Sequence, residues 1–173
     1  MHDDDEMVHG ADPRPVPRVA SVSAEPGNML VIQWQDGGST RVDLSGWIAF
    51  HDIAELRDES VFSRPEVGEY GWSVQWNGNE DLSIDTAHLR LIAEQQAEFT
   101  TDDLVHWQDR LKLSNRESAE LMGVALSTWG LYRTGGTIPA AVQIACRAFE
   151  RDPSLFEARY RPSRPPGRPP KAA

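Results

Sequence analysis

Residues 113–139 read LSNRESAELMGVALSTWGLYRTGGTIP, and the local chemistry of this stretch decides how the C-terminal half folds. Ser114-Asn115-Arg116-Glu117 has the form of a capping box. Its serine hydroxyl can accept from the backbone N–H of Glu117, and its glutamate can accept from that of Ser114. The helix started there ends at Gly123, because glycine enters the left-handed conformation without a Cβ penalty. Ala119 is small where a second helix has to cross closely. The next helix covers about Leu126–Arg133, with Trp129 and Tyr132 at i, i+3 facing inward, and stops at Thr134-Gly135-Gly136. Pro139 suits the first turn of another helix, which buries Val142, Ala145 and Phe149 and ends before Pro153.

Upstream the same helical period continues, then gives way to a strand period. Leu104, Trp107 and Leu111 form an amphipathic stripe that Leu113 closes, and Leu89, Ile92 and Gln96 share a helix face behind a capping Asp85. From Val16 to about Asp85 the period is 2. Leu30, Ile32 and Trp34 alternate up to the turn Gln35-Asp36-Gly37-Gly38, and Val42 and Leu44 resume the pattern. Trp72 to Trp76 alternate into Asn77-Gly78, a pair suited to the positive φ values of a type I′ hairpin, with Leu82 and Ile84 returning. Ser45 to Leu56 breaks the alternation as a short helix. The expected fold is an α+β N-terminal domain of antiparallel hairpins plus a short helix, followed by an all-α domain. The expected limits are an acidic, Pro-punctuated disordered segment at 1–15, the α+β domain at 16–90, the helical domain at 91–156 and a basic Pro-rich tail at 157–173.

Composition narrows the function classes. The chain has 173 residues and a net charge of −10, which suits one large or two small soluble domains. No apolar stretch approaches the ~20 residues that span a bilayer, and an acidic N-terminus is unlike a secretory leader. The single cysteine, Cys146, cannot pair internally and reads as a small buried hydrophobe, so a reducing, cytoplasmic location is expected. The charge is unevenly placed. Residues 1–99 carry 6 Lys and Arg against 19 Asp and Glu, net −13; residues 100–173 carry 11 against 8, net +3. The acidic part repels phosphate, so any nucleic-acid surface belongs to the C-terminal half; a merely solubilising tail fits the composition equally well.

With its small residue, glycine turn, apolar anchors and Gly-rich loop before a fourth helix, Leu113–Pro139 resembles the lambda-repressor-like (Cro-type) helix-turn-helix family. The likeness covers about Thr101 to Asp152. It implies binding of double-stranded DNA, normally by a homodimer whose half-sites lie ~10–10.5 base pairs apart. Carried over by position, base reading falls on Leu126, Ser127, Gly130 and Leu131, and phosphate contact on Asn115 and Thr128. Arg133 ends the reading helix, as a guanine or phosphate contact or as a solvated charge at the helix C-terminus. The four reading positions hold no Arg, Asn or Gln, the side chains that form bidentate base contacts. The tail, Arg164-Pro-Pro-Gly167-Arg168-Pro-Pro-Lys171, looks like an AT-hook, which implies entry of Arg164 and Arg168 into a narrow minor groove. Pro166 stands where that motif has arginine before the glycine.

The strings LVIQWQDGGSTRVDLSGWI (30–48) and LRDESVFSRPEVGEYGWSVQWNGNEDLSID (56–85) resemble a bacterial domain family of unknown function, some members of which carry a helix-turn-helix behind the domain. That likeness implies a fold and no chemistry. The histidines, His2, His9, His51, His88 and His106, form no H-x3-H pair, so no metal is expected. His51-Asp52 are adjacent and point apart, and Asp81 and Asp85 suit capping and solvation. Trp34, Trp72 and Trp76 suit a core better than a ligand pocket. No P-loop, GxGxxG, GxSxG or zinc spacing is present, and no catalytic residue or cofactor is expected. The reading is a DNA-binding regulator whose acidic domain contacts a protein partner or effector. The alternative is an antitoxin-like interaction module whose helical domain mainly dimerises.

Overall fold

The computed structural model describes residues 15–162. The chain divides into two compact units between Ala97 and Glu98. Arg164 and Arg168, the AT-hook-like arginines, lie outside the described residues, as does nearly all of the acidic 1–15 segment.

The N-terminal unit is α+β, with two three-stranded antiparallel sheets. The first joins β1 (Val19–Glu25), β2 (Met29–Trp34) and β3 (Ser39–Asp43) in sequence order. Leu30, Ile32 and Trp34 point from β2 into the core, as strand alternation requires. A helix, α1 (Ser45–Phe50), and a 3-10 turn at Ala54–Arg57 fill the expected Ser45–Leu56 interval. After α2 (Glu59–Phe62), β4 (Pro65–Val67), β5 (Ser73–Trp76) and β6 (Asn79–Asp85) build the second sheet. Asn77 and Gly78 both have positive φ, 55° and 60°, the type I′ geometry that pairs Trp76 with Asn79; the register then shifts between Trp76 and Gln75, so that Val74 pairs with Ile84. Trp34 and Trp76 are buried, whereas Trp72 is 41% exposed with the Arg18 guanidinium 4.0 Å from its ring centroid. The tryptophan stripe is thus core at two positions and a surface cation–π pair at the third.

Helix α3 (Thr86–Gln96) moves the expected boundary from 90–91 to 97–98. Asp85 caps it as expected, accepting from the His88 N–H at 2.9 Å. Its Leu89 and Ala93 bury in the core of the N-terminal unit. The Gln96 amide pairs with the backbone of Asp43 in both directions, at 2.8 and 2.7 Å, much as another strand would. Helix period alone cannot say which core a helix joins, and these contacts across the sequence decide it.

The C-terminal unit is helical: α4 (Thr101–Arg110), α5 (Asn115–Met122), α6 (Leu126–Tyr132), α7 (Ala140–Arg151) and α8 (Pro153–Arg159). Capping boxes at Thr100/Asp103 and Ser114/Glu117 start α4 and α5. Gly123 ends α5 at φ 68°, and the Val124 N–H donates to the Ala119 carbonyl at 2.9 Å, closing the turn that sends the chain into α6. Pro139 stands one residue before α7 as its cap rather than inside it. Asp152 ends α7 and caps α8, accepting from the Ser154 N–H, so the helical unit runs past 156. Trp107 and Trp129 are buried at its centre, ring centroids 6.1 Å apart, with Leu104, Ala119, Tyr132 and Cys146 around them.

Candidate nucleic-acid interface

The two faces of α6 differ sharply. Trp129 and Tyr132 point into the helical core, while Leu126 and Leu131 are 49% and 59% exposed and Ser127 is exposed beside them. Gly130 sits on the exposed side, and a Cβ placed there meets nothing within 4 Å. The four expected reading positions therefore share one open surface of this unit. Thr128 is half-buried on the flank. Gly136 passes so close to Leu131 that a Cβ there would come within 2.7 Å of the leucine Cγ, and its N–H donates to the Leu131 carbonyl. That close approach holds the loop under Leu131 and leaves the side chain facing out. Thr134 closes the end of α6 by donating to the Gly130 carbonyl at 3.1 Å.

Asn115 and Arg133 come together although 18 residues separate them. The Arg133 Nη1 donates to Asn115 Oδ1 at 2.9 Å, so Arg133 and Asn115 form one pair at the end of α6. Its Nε is buried without a hydrogen-bond partner among the described residues. Gln108, buried on α4, donates to the same Asn115 oxygen and to the Leu113 carbonyl, each at 2.9 Å. The Trp129 indole N–H donates to Gln108 Oε1, also at 2.9 Å. Four side chains from three helices and one cap thus form a continuous hydrogen-bonded chain that runs from the buried Trp129 and Gln108 to the exposed Asn115 and the half-buried Arg133. Gln108 was missed as a functional candidate. Its signal was a polar residue at i+4 from Leu104, within the stripe that Trp107 and Leu111 define.

Around the α4–α5 junction, Lys112 and Arg116 are exposed, and neither forms an ion pair among the described residues. They are cations beside the start of α5 that the carry-over by family position did not select. Arg110, by contrast, is paired with Glu150. Tyr160 donates its phenol hydrogen to Glu117 Oε1 at 2.9 Å while the other oxygen of that carboxylate accepts from Ser114. This bond, and then burial, raise the Tyr160 pKa above the usual phenol value, since ionisation would set two anions together. The Thr100 backbone and hydroxyl bonds hold Asp103 below the usual carboxylate range. Burial pushes the Cys146 thiol up to about 12, which leaves it unreactive.

No protein-family model matches the sequence, and no curated protein matches it. A solved structure from Nitrosomonas europaea, described as a putative DNA-binding protein, is 27% identical, covering 78% of this chain and 86% of its own, with a TM-score of 0.43.

In the N-terminal unit the surface is aromatic in places. Phe50 and Tyr70 are exposed, and the His51 ring lies 5.1 Å from that of Phe50 and 6.3 Å from that of His88. Among the described residues no three His, Cys, Asp or Glu side chains gather as a metal ion would need. No described helix is long and apolar enough to cross a membrane.

Proposed function

We propose that the helical unit is a lambda-repressor-like helix-turn-helix that binds duplex DNA, with α6 in the major groove and α5 across the phosphate backbone. The observation that carries this reading is the outward face of α6. Leu126, Ser127, Gly130 and Leu131 stand clear while Trp129 and Tyr132 anchor the helix from behind. On that face the two leucines pack on thymine methyls, Ser127 offers one hydroxyl to a base edge, and Gly130 admits the helix close to the floor of the groove. Asn115, Thr128, Lys112 and Arg116 serve the phosphates. Arg133 acts through Asn115, and the tail arginines Arg164 and Arg168 add minor-groove contact. Without a bidentate reader, discrimination is modest per half-site and is built up by a homodimer. The protein acts by occupancy and not by reaction, and its acidic unit engages a protein partner or effector.

Selection of bound sequences from a random duplex pool tests this. The expected result is enrichment of paired, A·T-containing half-sites, with affinity falling steeply as salt rises. No enrichment, with no salt-dependent binding, overturns it. A second reading rests on the same exposed leucines, since Leu126 and Leu131 also suit an apolar contact with another copy of the chain. In that antitoxin-like reading the helical unit dimerises and the acidic unit holds a basic protein.

A further inference from the structure

We infer that Gln108 is a positioning residue that turns the Asn115 amide so that its N–H2 end faces outward, as a donor for a phosphodiester oxygen. The inference rests on the DNA-binding reading above and concerns a residue with no surface of its own, since Gln108 is 4% exposed. The logic is one of donors and acceptors. An indole N–H only donates, so the bond from Trp129 requires Gln108 to present its oxygen to α6. The Leu113 carbonyl only accepts, so the nitrogen end of Gln108 must lie toward the α4–α5 turn, which gives the same orientation independently. That NH2 group has two hydrogens, and they go to Leu113 O and Asn115 Oδ1. The Asn115 oxygen takes a second donor from Arg133, so its two lone pairs are filled. The Asn115 Nδ2 remains, with no acceptor among the described residues, on an exposed side chain at the first residue of α5. Asn and Gln amides are nearly symmetric in shape, and nothing local would choose between their two orientations. Here the Gln108 nitrogen end, set by a buried indole on α6 and the Leu113 carbonyl, makes the choice for a surface amide on α5 together with the donor-only guanidinium of Arg133.

The test is a double-mutant cycle on the full chain, read as affinity for a selected duplex at fixed salt. Asn115→Ala is expected to weaken binding about tenfold, the loss of one hydrogen bond to a charged acceptor. Gln108→Met removes both ends of the amide at similar length, and is expected to weaken binding about as much in the wild-type background. In the Asn115→Ala background its further effect should stay within about twofold. The slope of affinity against salt should not change, because a neutral amide releases no counterion. An equal loss in both backgrounds makes Gln108 merely structural, and a slope reduced by about one unit moves the effect to Arg133. Either result overturns the inference while leaving DNA binding in place, whereas no duplex binding at all overturns both. If Gln108→Met does not fold, the Asn115 side-chain amide of the wild-type protein carries the test. In labelled wild-type protein the Asn115 side-chain amide resonance should shift when duplex is added. An unmoved resonance also overturns the inference.

Discussion

Replacing Trp129 by phenylalanine tests whether the helical unit is held by the polar chain as well as by its apolar core. The indole is fully buried, lies 6.1 Å from that of Trp107, and its N–H donates to Gln108 Oε1 at 2.9 Å. Phenylalanine keeps an aromatic ring but buries roughly 50 Å² less, which costs about 1 kcal/mol. The larger loss is electrostatic. Gln108 Oε1 stays in the core with no donor, and an orphaned buried acceptor costs about 1–3 kcal/mol. Together these destabilise the unit by about 2–4 kcal/mol, a fall in melting temperature on the order of 10–20 °C for a domain of this size. Thermal unfolding followed by indole N–H resonances separates the units. Trp107 reports on the helical unit, and the buried Trp34 and Trp76 report on the N-terminal one. Only the Trp107 signal should lose its native position early. A melting temperature within about 2 °C of the wild type would refute the argument, because Gln108 would then have another donor or lie open to water.

Two further expectations follow from the local geometry. Gly123→Ala forces a Cβ into φ 68° with no packing in return, since nothing lies within 4 Å of that position. It should cost about 1–2 kcal/mol by chemical denaturation, and Gly123→Asn distinctly less. The Thr100 bonds that lower the Asp103 pKa make its ionised form the stabilising one. Its contribution is present above the unfolded carboxylate value and is lost as pH falls through the lower folded one, so Asp103→Asn should flatten the acid limb of a stability–pH curve. An unchanged acid limb would show that the capping box contributes nothing to that loss.

The helix boundaries in residues 113–139 were legible because their causes lie within one turn of chain. A serine and a glutamate three apart make a cap, a glycine accepts a left-handed φ, and two aromatics at i, i+3 mark the inner face. The Asn77-Gly78 hairpin was legible for the same reason. Helix α8 is not among the expected elements, although Asp152 before Pro153 supplies an N-cap and a first-turn proline. What period and spacing left open are matters of partnership between distant residues. Helix α3 has a clear apolar face, but that face suits either core until Gln96 meets Asp43, 53 residues away. Trp72 has the same alternation as Trp76 but stands at the end of the 3-10 turn at Glu69–Gly71, outside β5, and pairs with Arg18 on the surface. In the sequence Arg133 and Asn115 stand as lone side chains 18 residues apart, yet they are bonded to one another, and Gln108 stands as one polar residue in an apolar stripe, yet it bonds to Asn115. Caps, turns and amphipathic faces are energies of neighbours along the chain and can be read from order alone. Which donor meets which acceptor inside a core depends on how three helices cross, and that is settled only when they pack.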